Sequence, residues 1–323
     1  MKETGVAPEA WRADFPLEGP AGERIDLSRT FRSHGLTSLP PMRPVQNALE
    51  VTLPSEPRPR IVRISESRPG YGTISAVGSP PGREKGEKLL AAVRYALRLD
   101  EDLSPFYEMA ASDPQLLWIT KGAGRMIRGA TVFEDVIKTL CTTNCAWSAT
   151  IRMLSALVEH LGAEAPGAPE TGPWGHAFPT PEAMARAGED FYKDVVRAGY
   201  RGRYMLTLAR SVIEGTVDIE AFDAPRKKLP DDELERKLLA LPGVGPYAAA
   251  HIMMILGRYS RLILDSWTRP TYARLAGYPA TDTEIIERFA PYGRYAGLAF
   301  WLYLTRSWIS DTEETRDADL REP

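Results

Sequence analysis

Apolar and polar positions alternate in three short runs near the start of the chain, at residues 49–53, 60–64 and 71–77, each bounded by stretches rich in proline and glycine. A period of two between breakers predicts strands of an antiparallel sheet. Pro80-Pro81-Gly82 closes this region, and the period then lengthens. Leu89, Val93 and Leu97 fall at helical spacing, and helical patterns continue almost to the end. Phe133, Val136, Ile137, Leu140 and Cys141 form one apolar stripe. Trp147, Ile151, Leu154, Leu157, Val158 and Leu161 form another, and the polar Thr142-Thr143-Asn144 interrupts the two. Thr180-Pro181-Glu182 reads as a helix start with an N-cap and a first-turn proline. Gly188 and Gly199 suit C-terminal caps. Thr281 to Glu284 is a capping box opening a helix that Pro291 stops. The expected fold is mostly α with a small N-terminal antiparallel β domain, an α+β arrangement. Residues 1–100 form the β-rich domain with a linking helix, 101–310 the helical body and 311–323 an acidic tail.

Composition narrows the class. With 323 residues, 43% hydrophobic and 26% charged, the chain can build ample core as one large domain or a few small ones. No apolar run approaches the ~18 residues of a membrane span, and the polar start shows no signal-peptide pattern. Two cysteines, Cys141 and Cys145, are too few for a disulfide framework, a four-cysteine zinc site or an iron–sulfur cluster. A cytoplasmic monomer needing no cofactor is the expectation. The net charge of −3 hides an uneven distribution: the tail carries −4 and the remainder +1. Lys193, Arg197, Arg201, Arg203 and Arg210, against Asp194, form a local +4. Such a stripe suits a phosphate backbone as well as an ordinary solvated helix face.

Residues 231–240 read as a helix, charged outside, with Leu234, Leu238 and Leu239 on one side. Leu241-Pro-Gly-Val-Gly245 follows, and Pro246 opens a second, apolar helix to Leu256. Glycines let two backbones approach closely, and free N–H groups at the second helix's start can face a phosphate. Proline costs nothing there, because its missing N–H would be unpaired anyway.

This hairpin, followed about twenty residues on by the extended Leu262-Ile-Leu-Asp265, resembles the helix-hairpin-helix DNA glycosylase superfamily. Cys141-Thr-Thr-Asn144, Phe178-Pro-Thr-Pro181 and Gly199-Tyr-Arg-Gly-Arg-Tyr204 are similar to segments of 8-oxoguanine DNA glycosylases and of bacterial 3-methyladenine DNA glycosylase II, in the same order. The resemblance covers roughly residues 133–308. It implies the helix-hairpin-helix DNA glycosylase fold, with the hairpin at 231–257, and a double-stranded DNA partner containing a damaged base.

The resemblance also assigns roles. Asp265 becomes the catalytic carboxylate, which stabilises the oxocarbenium-like sugar and orients water; it can cap the following helix at the same time. Gly243, Val244 and Gly245 would grip the strand. Asn144 would fill the gap left by a flipped nucleotide, Tyr200 would wedge beside it, and Arg201 would contact the orphaned base. Ala149 stands where the 8-oxoguanine enzymes carry a further arginine. An electron-poor alkylated purine would stack on aromatic rings; the pocket candidates are Tyr247, Trp301, Tyr303 and Trp147, with His251 one turn from Tyr247. Spacing leaves open which of Trp301 and Tyr303 matches the family's pocket tryptophan. Main-chain carbonyls of Leu239, Leu241 and Val244 match a monovalent-cation site for Na+ or K+. Bifunctional members carry a lysine where this chain has Tyr247, so water is the expected nucleophile. The expected function is monofunctional excision of an alkylated purine such as 3-methyladenine. The alternatives are excision of oxidised or deaminated bases, and lesion binding without cleavage.

Overall fold

The computed structural model describes residues 11–78 and 80–309. The acidic tail at 311–323 lies outside the described residues. Five strands, β1 (Arg12–Pro16), β2 (Met42–Val45), β3 (Ala48–Leu53), β4 (Arg60–Arg68) and β5 (Tyr71–Ala76), form one antiparallel sheet in the order β1-β5-β4-β3-β2. The three central strands are those that alternation predicts. The edge strands escape it for a physical reason. β1 buries one apolar side chain, Phe15, and β2 carries Pro44, which sheets tolerate at an edge. Val51, Val62, Ile64 and Ile74 pack against Leu89 and Val93 of helix α2.

Helix α1 (Leu27–Phe31) precedes β2, and α2 (Arg83–Ala96) follows the sheet. The body then runs through α3 (Ser104–Ala111), α4 (Val132–Thr142), α5 (Trp147–Leu161), α6 (Pro181–Arg186), α7 (Gly188–Asp190) and α8 (Arg201–Ile213). It ends with α9 (Asp231–Leu239), α10 (Pro246–Ile255), α11 (Thr268–Ala276), α12 (Asp282–Phe289), α13 (Ala296–Leu304) and α14 (Arg306–Ile309). The predicted caps form: Thr180 accepts the Ala183 amide, and Thr281 with Glu284 closes a reciprocal capping box. Gly188 takes a left-handed φ of +74° where α6 gives way to α7. Gly199 (φ +58°) instead leads into α8, so it opens a helix rather than closing one. None of the described helices is long and apolar enough to cross a membrane.

Two cores divide the helical body, and α10 lies between them. Ala248, Ala249, Ile252 and Met253 face one, with α4, α5, α8 and α9. Ala250 and Met254 face the other, with α3 and α11 to α13. A helix buried on both sides is apolar all round, which explains why α10 shows no polar stripe. Leu239, expected beside Leu234 and Leu238, is exposed instead. The N-terminal region is joined tightly to the body. Leu36 and Leu39 sit in the first helical core, and Ile127 sits in the sheet core. The Glu23 carboxylate meets Arg125 at 2.7 Å with both side chains buried.

Candidate active site

The turn between α9 and α10 is set by its glycines. Gly243 has φ +78°, and a Cβ there would lie 2.4 Å from the Tyr204 ring. Any side chain is therefore both strained and blocked. The Val244 side chain is buried in the first core, so its main chain alone is available to a strand. Gly245 is exposed and faces open space, with no atom within 4 Å of a Cβ position. First-turn amides of α10 lack intrahelical acceptors. The result is a firmly anchored turn with an uncovered, donor-rich surface.

Asp265 borders the same cavity of about 1280 Å3 as this turn. Residues 262–264, in neither helix nor strand, lead into Asp265. Its Oδ1 accepts the amides of Trp267 (2.8 Å) and Thr268 (2.7 Å), and its own amide donates to Thr268 Oγ1 (2.8 Å). This reciprocal cap precedes α11 and fixes the carboxylate's direction. Among the described residues no intramolecular hydrogen bond engages Oδ2. Among the described residues Asp265 is the one acidic side chain lining the cavity, and no lysine or arginine of these lines it.

Aromatic rings supply the walls. Tyr247 and His251 have ring centroids 5.8 Å apart, and His251 meets Trp301 edge-on at 6.0 Å. The Tyr247 hydroxyl lies 3.4 Å from Thr142 Oγ1, and burial raises its pKa. Burial also lowers the His251 pKa to about 4, so the ring is neutral at physiological pH, and its Nδ1 is buried without a partner. Trp147 is partly exposed and lies against Gly35. The indole N–H of Trp301 donates to the Ser33 carbonyl at 2.8 Å.

Two expectations are corrected. Tyr303 does not line the cavity; it packs against Tyr272 and Phe289 in the second helical core. Two residues on a helix are about 200° apart, so when Trp301 faces the cavity Tyr303 must face away. Arg201 is not displayed toward DNA. It is only 8% exposed, and its guanidinium is bonded to main-chain carbonyls: Nε to Thr143 (3.0 Å), Nη2 to Thr143 and to Asn144 (3.0 Å), and Nη1 to Ala198 (3.4 Å). The other members of the basic stripe, Lys193, Arg197, Arg203 and Arg210, are exposed. Asn144 and Tyr200 do come together at the cavity mouth, both exposed, with the Asn144 amide donating to the Tyr200 hydroxyl at 3.3 Å.

No protein-family model matches the chain. The DNA-3-methyladenine glycosylase of Bacillus subtilis is 26% identical over 187 residues, 54% of this chain and 56% of that protein. The matched segments span about half the length of the curated relatives. A 3-methyladenine DNA glycosylase from Archaeoglobus fulgidus superposes with a TM-score of 0.70 at 17% identity, over 94% of this chain and 100% of that one. The fold is that of the helix-hairpin-helix DNA glycosylases. The 8-oxoguanine glycosylase/lyase of Clostridium acetobutylicum shares this fold, with a TM-score of 0.68 at 18% identity over 88% of this chain and 93% of that one.

Within this glycosylase fold, sequence reasoning missed several residues around the cavity. Trp267 and Trp308 pair at 5.1 Å at its rim, and Trp267 lies 5.9 Å from Trp301. Trp267 could have been found from its place two residues after Asp265; Trp308 had no periodic signal. From the N-terminal region come His34 to Leu36. His34 bridges Ile127 O through Nε2 at 2.5 Å and accepts the Leu36 amide on Nδ1; burial lowers its pKa to about 3. A carboxylate with fixed direction, a group of aromatic rings and a turn with uncovered main-chain donors thus border one cavity.

Proposed function

We propose that the protein is a monofunctional DNA glycosylase that removes an alkylated purine from double-stranded DNA. One observation carries this reading: among the described residues Asp265 is the only acid bordering a cavity walled by aromatic rings, and the uncovered glycine turn borders the same cavity. The likeness to 3-methyladenine glycosylases supports the substrate class. As the C1′–N bond breaks, its electron pair leaves with the base, and the Asp265 carboxylate stabilises the cationic sugar. Water then bonds to C1′ and gives up a proton, leaving an abasic site. A cationic purine gains from the electron-rich faces of Tyr247, Trp301 and Trp147, and the neutral His251 adds no repulsion. Tyr247 has no amine to attack the sugar, and no lysine among the described residues lines the cavity, so no Schiff base forms. A monovalent cation on the carbonyls of Leu239, Leu241 and Val244 belongs to the same proposal. Helix-terminal carbonyls lack intrahelical partners, and Leu239 and Leu241 lie at and just past the end of α9.

The test is base release from duplexes bearing one defined lesion each, with borohydride added in parallel. Release of 3-methyladenine or a related alkyl base, with no trapped protein–DNA adduct, is expected. Release confined to 8-oxoguanine, a stable reduced adduct, or tight binding without release from any lesion would each replace this reading.

A further inference from the structure

We infer that Arg201 is a positioning residue that clamps the loop between α4 and α5 from behind, so that Asn144 and Tyr200 fill the gap of an extruded nucleotide and the base opposite is not read by this arginine. The inference rests on the glycosylase reading. It follows from a count of donors. A guanidinium has five N–H groups, and four of Arg201's hydrogen bonds already run to the carbonyls of Thr143, Asn144 and Ala198. Reading a base requires a fork of two donors presented together. To provide it, Arg201 would have to leave the loop it supports.

The loop needs that support. Asn144 has φ +46°, a left-handed conformation that asparagine tolerates but does not favour. Thr143 is the C-cap of α4, where the last helical carbonyls lack partners. A cation there satisfies those carbonyls and complements the negative end of the helix. Burial of the arginine is thereby compensated without a carboxylate. Its guanidinium carbon also lies 4.6 Å from the Tyr200 ring centroid. Tyr200 in turn accepts the Asn144 amide, which closes a circuit of three side chains.

The experiment measures affinity for duplexes carrying a tetrahydrofuran abasic analogue opposite A, C, G or T, and for the same strand unpaired. Wild type is expected to bind the four duplexes within about threefold of one another, short of the discrimination a bidentate base contact confers. Arg201→Lys, which keeps the charge but loses the fork, is expected to weaken all four by about tenfold, as loss of a positioning group does. Its affinity for the single strand stays unchanged. Thermal unfolding checks that this variant is folded. Should it not be, Tyr200→Phe at an exposed site carries the test, with a smaller loss that is again equal across the four partners. A wild-type preference of roughly tenfold or more for one partner, abolished by Arg201→Lys or retained in Tyr200→Phe, would overturn the inference. So would variants that bind like wild type. Failure of the wild type to distinguish abasic from undamaged duplex would instead remove the glycosylase reading itself, before any variant is compared, and leave Arg201 no gap to serve.

Discussion

Two tight turns border the same cavity, and they are held in opposite ways. The hairpin turn at residues 241–245 is held by what is missing: Gly243 fits against the Tyr204 ring because it has no Cβ, and Gly245 leaves its outer surface bare. The turn at 143–146 is held by an addition, the long Arg201 side chain reaching from α8 to bond the carbonyls of Thr143 and Asn144. The first leaves a bare main-chain surface, which suits the phosphate contact proposed for it. The second suits a side chain that must project. A main-chain device presents donors without regard to sequence, while a clamped side chain presents one shape at one place.

The sharpest separation of these devices from the chemistry is Asp265→Asn. Both turns should survive it, so DNA affinity should stay close to wild type while single-turnover base release falls by at least ~10²-fold. Equal losses of affinity and rate would show that the carboxylate holds the site together rather than acting on the sugar. Next in size, the two hairpin glycines should respond differently to alanine. Gly243→Ala meets both a left-handed φ and the Tyr204 ring, and should cost about 1–2 kcal/mol from the backbone alone, read as a lower melting temperature with weaker DNA binding. Gly245→Ala should cost under ~1 kcal/mol as an N-cap change yet still weaken binding, because in the proposed complex the new methyl would meet the strand. Equal melting temperatures for the two variants would erase the distinction.

The smallest effect concerns pH. The hairpin turn carries no titratable side chain, whereas the cavity wall holds His251 and His34, with pKa values lowered by burial to about 4 and about 3. Because the unfolded rings take up protons near 6.5 and the folded ones do not, their contribution is complete above pH 6.5 and is lost as pH falls toward 4. Asp135, whose pKa burial raises to about 7, acts in the opposite sense, favouring the fold less as pH rises through 7. Melting temperature should therefore fall between pH 6.5 and 4, and His251→Phe should flatten that fall.

Sequence alone carries much of this picture, and the reasons for its failures are physical. The hairpin was legible because a left-handed, close-packed turn leaves few residue choices but glycine. That Asp265 would border the same cavity as that turn was legible from the family resemblance, which pairs the hairpin with an acid about twenty residues on. The phase of α13 was not. Residues 296–304 are apolar on every side, so nothing in the pattern says whether Trp301 or Tyr303 faces the cavity; packing against Tyr272 and Phe289 decides it. Arg201 misled for a related reason. An arginine in a basic stripe looks solvated, and the acceptors that bury it are carbonyls, which every residue has. The wall formed by His34 to Leu36 was invisible because it comes from about 230 residues before Asp265 in the chain.

That last wall limits how the molecule can be divided. A fragment beginning at α3 would keep the hairpin, Asp265 and all of α13, yet the indole N–H of Trp301 would lose the Ser33 carbonyl and be left unsatisfied, and Leu36 and Leu39 would vacate the first core. The N-terminal region is thus a component of the pocket rather than a detachable appendage, and exchanging it between relatives would reshape the chamber around Trp301.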